Sequence, residues 1–166
     1  MRHWLSAAIL ALLVGQTSAQ EPTMRDVFRQ MPDSLMPYLT QNDRLDFIDF
    51  IDSNMKAEVS NRMGGSSELT ALTSDSLSIR MSDALRVDML LLALDEPIDT
   101  IRQVVVMAET FLVDSIYGET VCSMFSTDWQ PLTAVTIPWN AAQQKRIESL
   151  RLQNILKRDE DIFNKR

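Results

Sequence analysis

The apolar residues change their spacing partway along the chain, and that change dictates a fold containing both helix and sheet. Near the start, Met24, Val27, Phe28 and Met31 recur at helical spacing before Pro32. Farther on, Leu77, Ile79 and Met81 alternate with Ser76, Ser78, Arg80 and Ser82, the period of a strand with one wet face. Neither pattern can adopt the other's backbone without turning apolar side chains into water.

The helical part has its own start signals. Thr23 with Asp26, and Thr40 with Asp43, place a hydroxyl and a carboxylate three residues apart, the spacing that satisfies the free N–H groups of a first turn. The first pair predicts a short helix ending at Pro32. After the Pro32 to Pro37 link, the second pair predicts a helix running to about Asn54. Its apolar face is read as Leu45, Ile48 and Ile51, supplemented by Phe47 and Phe50. Met55, Ala57 and Val59 alternate with polar residues and fit either more helix or a strand, and Gly64-Gly65 ends the stretch.

Four strands are predicted next: around Leu77 to Met81, Leu85 to Leu94, Ile101 to Thr110 and Gly118 to Phe125, with Asp95-Glu96-Pro97 as a turn. Connections this short favour an antiparallel meander, because a parallel crossover needs a dozen residues or more. Asn140 with Gln143 then opens a C-terminal helix carrying Ile147, Leu150, Ile155 and Leu156. The expected architecture is α+β: N-terminal helices, a four-stranded antiparallel meander, and a C-terminal helix packed on the sheet, with one sheet face covered.

Residues 1–19 read as a signal peptide and 20–166 as a single domain. Arg2 and His3 precede an apolar run from Trp4 to Val14, and Thr17-Ser18-Ala19 supplies small residues for cleavage between Ala19 and Gln20. The apolar run falls short of the ~20 residues a spanning helix needs. The expected location is the periplasm or cell envelope. Removing residues 1–19 takes away Arg2 and no acid, so the net charge moves from -7 to -8. It also removes His3, the only histidine, and leaves one cysteine, Cys122.

Those counts narrow the chemistry. Histidine-dependent triads have no base, and no His or multi-Cys set remains for zinc, haem or iron–sulfur ligation. Gly64, Gly65 and Gly118 are too few and scattered for a phosphate-binding loop. Net negative charge without a basic, aromatic stripe argues against nucleic-acid binding. No catalytic residue, cofactor or metal is assigned.

Several groups remain as candidates. Asp43, Asp46, Asp49 and Asp52 recur every third residue, either a cation site or a solvated acidic face, and the second is preferred because a straight helix cannot wrap an ion. Trp129 and Trp139, with Tyr38, are the candidate partner-binding residues, since aromatic rings supply contact area at low entropy cost; the competing reading is core packing. Cys122 is read as a small buried apolar group.

One resemblance covers most of the chain. The segments Met31-Pro32-Asp33-Ser34-Leu35, Pro37-Tyr38-Leu39, Asn42-Asp43-Arg44-Leu45-Asp46, Ile48-Asp49-Phe50, Lys56-Ala57-Glu58-Val59 and Gly64-Gly65 carry it first. Asp114-Ser115 and Asp128-Trp129-Gln130-Pro131-Leu132 continue it. Together they resemble a small exported family of the Bacteroidales, domain of unknown function 3256, departing from it where Thr110-Phe111-Leu112-Val113 precedes Asp114. The resemblance implies an exported domain and supplies no activity. The residues and the resemblance together lead to a non-catalytic binding or protein-interaction module whose partner is an envelope protein. A carboxylate-dependent hydrolase, a small-ligand-binding periplasmic domain and a structural stabiliser of an envelope assembly stand as alternatives.

Overall fold

The computed structural model describes residues 20–113, 116–133 and 137–150. The segment 1–19 with its Ala19 cleavage position, Asp114-Ser115, and Ile155 and Leu156 of the C-terminal pattern lie outside the described residues.

Helix α1 spans Met24–Arg29 and helix α2 spans Gln41–Asp52, each opened by the capping box the sequence predicts. The Asp26 carboxylate accepts from the Thr23 backbone N–H at 2.9 Å, and Asp43 accepts from that of Thr40 at 2.6 Å. A 3-10 turn, Asp33–Leu35, lies in the link between the helices. The buried face of α2 is shifted from the predicted one. Arg44, Phe47 and Ile48 are buried, whereas Leu45 and Ile51 are half-buried.

Seven antiparallel strands follow in sequence order: β1 Glu58–Ser60, β2 Ser66–Leu72, β3 Ser76–Arg80, β4 Leu85–Ile98, β5 Ile101–Val113, β6 Ile116–Ser126 and β7 Pro131–Leu132. The meander is as expected, but seven strands replace the four predicted. Two of the additional ones, β1 and β7, are three and two residues long. The third, β2, has the sequence Ser-Ser-Glu-Leu-Thr-Ala-Leu, which is poor in β-branched and aromatic residues. Gly64, at φ 83°, belongs to the turn joining β1 to β2 rather than to a helix end.

The turn expected at Asp95-Glu96-Pro97 is also displaced. Those residues lie within β4, where the register jumps between the pairs Ala93↔Gln103 and Ile98↔Ile101. Four residues of β4 thus face one of β5, a bulge, where a proline is tolerated because no ladder bond is required of it. The chain reverses at Asp99 and Thr100, with Asp99 at φ 52°. Aspartate is among the few residues that adopt this left-handed region readily.

The sheet is covered on both faces, not one. On the first face, α1, α2 and their link pack on Leu69, Leu77, Ile79, Val87, Met89, Leu91, Val105 and Met107. On the second, Leu90, Leu92, Val104, Val106 and Ala108 meet Ile147 and Leu150 of helix α3, whose described residues are 141–150. Val104 to Ala108 therefore alternates between two cores, and each residue in the run is buried. That double burial explains a continuous apolar run where a half-wet strand would alternate. The Asn140 and Gln143 pair caps α3 as predicted, and the Gln143 amide also donates to the Ala93 carbonyl at 2.6 Å. No helix among the described residues is long and apolar enough to cross a membrane.

Candidate functional site

At one end of the first sheet face, the helical layer stops short. The link carrying Leu35, Met36, Pro37 and Tyr38 forms one wall of a groove of about 280 Å³. Met81, Leu85, Val87, Glu109 and Phe111 form the floor and far wall, with Ala84 at the edge. Cross-strand register explains the floor. Val87 and Val121 flank Glu109 directly, and Leu85 lies opposite Phe111, so these side chains share one face. Phe111 is 46% exposed, and Val113 and Val121 extend the uncovered apolar surface beyond it.

Arg44 fixes the link that forms the wall. Its guanidinium, 1% exposed, donates to the backbone carbonyls of Met31 and Leu39 and to Asp33 Oδ1 at 2.9 Å. A cation on the inner face of α2 thus serves as the hydrogen-bond partner for the carbonyls of Met31 and Leu39 at the two ends of the link.

Glu109 is the one charged side chain among the described lining residues. Among the described residues its carboxylate meets no hydrogen-bond or ion-pair partner, and burial alone pushes its pKa above the ordinary value. Among the described residues, the other acids whose ionisation shifts move the opposite way, each held charged by a neighbour. Hydrogen bonds from Thr23 lower Asp26, and Arg25 lowers Asp52. Glu109 was not singled out from the sequence. Its signal was there, the lone acid of β5, between Met107 and Phe111 on one alternation of the strand.

The residues predicted as partner-binding are separated. Tyr38, half-buried, lines the groove. Trp129 is 5% exposed and packs in the first core, its ring 5.6 Å from Phe125 and its indole N–H donating to the Val27 carbonyl at 3.0 Å. Trp139 packs half-buried against the second core, across the sheet. Gln20, the residue after the expected cleavage position, is exposed. The four aspartates of α2 divide their roles: Asp43 caps, Asp46 and Asp49 are exposed, and Asp52 pairs with Arg25 at 2.6 Å. No group of three or more acidic, cysteine or histidine side chains suited to a metal occurs among the described residues. Cys122 is half-buried against the second core.

Residues 16–163 match the family described as "Protein of unknown function (DUF3256)". The chain belongs to the DUF3256 family. Among solved structures, this DUF3256 chain is similar to a domain of an uncharacterized protein from Porphyromonas gingivalis W83, a likeness that shows the fold. The TM-score is 0.56 at 19% identity, over 78% of this chain and 70% of that one. No curated protein matches.

Proposed function

We propose that this DUF3256 protein is exported to the periplasm or cell envelope and acts there as a non-catalytic binding module, with the groove as its ligand site and the exposed patch of Phe111, Val113 and Val121 beside it as the surface that meets an envelope partner. One observation carries this reading. The groove joins an apolar patch of Phe111, Val113 and Val121 that stays exposed on the sheet face whose core is covered by the helical layer. Tyr38, from the sequence-predicted set, belongs to this surface. The N-terminal pattern of residues 1–19 supports export.

A hydrolase acting through two carboxyl groups fits the groove less well. Such chemistry needs an acid together with a base or nucleophile, and among the described lining residues Glu109 is the single acid. The test is a photoreactive residue placed at Phe111 in the native cell envelope, with Met63 as an exposed control on the β1–β2 turn. One dominant crosslinked partner from position 111 and none from position 63 is expected. Equal labelling from both positions, or none from 111, would overturn the reading.

A further inference from the structure

We propose that the groove receives a small organic ammonium ion, an aliphatic or aromatic monoamine whose hydrocarbon body lies between Tyr38 and the sheet and whose nitrogen meets the Glu109 carboxylate. The proposal rests on the reading of the groove as a binding site and names the chemistry of its ligand.

The in-sheet neighbours of Glu109 are apolar on all four sides: Val87 and Val121 across the strands, Met107 and Phe111 along its own. An acid in such surroundings loses hydration and gains no compensating partner, which makes it a poor structural residue. Two basic side chains of nearby elements are engaged elsewhere. Arg86, next to Val87 in β4, alternates to the opposite face and pairs with Asp88 at 2.9 Å, while Arg44 is taken up by the link carbonyls and Asp33. A cation arriving from solution therefore supplies what the fold withholds.

The walls set the rest of the ligand. Leu35, Leu85 and Val87 favour hydrocarbon, and the rings of Tyr38 and Phe111 favour a positive charge near their faces. A volume of about 280 Å³ suits a compact molecule, since a cavity of about 150 Å³ already accepts benzene. One carboxylate among the described lining residues matches one positive charge and gives a second ammonium no partner there. Anions meet both Glu109 and the overall charge of -7, which instead concentrates cations near the surface.

The test titrates the purified protein with hexylammonium, hexanol, hexanoate and Nα-acetyl-lysine methylamide, following methyl shifts of Leu35 and Val87 by NMR. Hexylammonium is expected to bind most tightly and hexanoate least. Glu109→Gln should weaken hexylammonium about tenfold while leaving hexanol unchanged. Phe111→Ala, at an exposed position that the core does not need, should weaken both. Equal binding of hexanol and hexylammonium, or no effect of Glu109→Gln, would overturn the ligand class and leave the groove as a binding site. Tighter binding of the lysine derivative than of hexylammonium would overturn the small-molecule assignment in favour of a protein side chain. Failure of every probe to bind would overturn the ligand class, while the envelope crosslink from position 111 would still decide the binding role separately.

Discussion

Arg44 and Glu109 are both charged side chains taken partly or wholly out of water, and their settings are opposite. Arg44 is enclosed with three acceptors around it, so removing it strands buried carbonyls at Met31 and Leu39. Arg44→Met is expected to destabilise the protein by about 2–4 kcal/mol in urea unfolding, because each unsatisfied buried acceptor costs on the order of 1–3 kcal/mol. The exposed end of the network, Asp33, should contribute little, since water replaces its partner. Glu109 stands in the reverse position: burial raises its pKa in the folded chain, so the folded state holds the proton more tightly than the unfolded state. Its ionisation therefore opposes folding once the pH rises above the unfolded value, and stability falls through the interval up to the folded value. Glu109→Gln should accordingly raise the melting temperature at pH 8, and the gain should vanish below its ordinary value of 4.5. A gain that persists unchanged in acid would show that ionisation is not its source.

At the scale of single elements, the caps were fully legible because they depend on residues three positions apart. Thr23 with Asp26, Thr40 with Asp43 and Asn140 with Gln143 all form as read. Thr40→Ala should cost about 1 kcal/mol by removing an N-cap of α2, measurable as a shift in urea midpoint at constant slope. The face of α2 was not legible in the same way. A charged residue at position 44 reads as solvent-facing until the link folds beneath it and presents its carbonyls. Strand β2 escaped notice because its side chains carry little strand preference, and its pairing with Leu77 to Arg80 of β3 is what makes it a strand. The bulge in β4 was likewise hidden: Asp and Pro favour turns locally, and only the pairing of Ile98 with Ile101 moves the reversal to Asp99.

For the whole molecule, the controlling feature is a single sheet with a core on each face, tied at distant points. The Trp129 indole reaches α1 from 102 positions along the sequence, and the Arg146 guanidinium of α3 meets Asp75 in the β2–β3 turn at 2.9 Å. The first tie is buried and the second half-exposed, so they should differ in weight. Trp129→Phe should destabilise by about 1–3 kcal/mol, leaving the Val27 carbonyl with the Gln30 N–H alone and a gap beside Phe125, whereas Asp75→Asn should cost about 1 kcal/mol or less. Thermal unfolding of the two variants side by side checks the order. By itself the sequence determined the mixed class, the meander, the caps and the absence of histidine chemistry after residue 19, because each follows from local spacing or from counting. Only the tertiary structure decided that the sheet is covered twice, that Trp129 and Trp139 lie on opposite faces, that Arg44 is internal, and that Glu109 sits without a partner in a groove. Those outcomes depend on which distant backbone and side-chain groups meet, and the meeting is set by burying apolar surface across the whole chain rather than by any residue's neighbours in sequence.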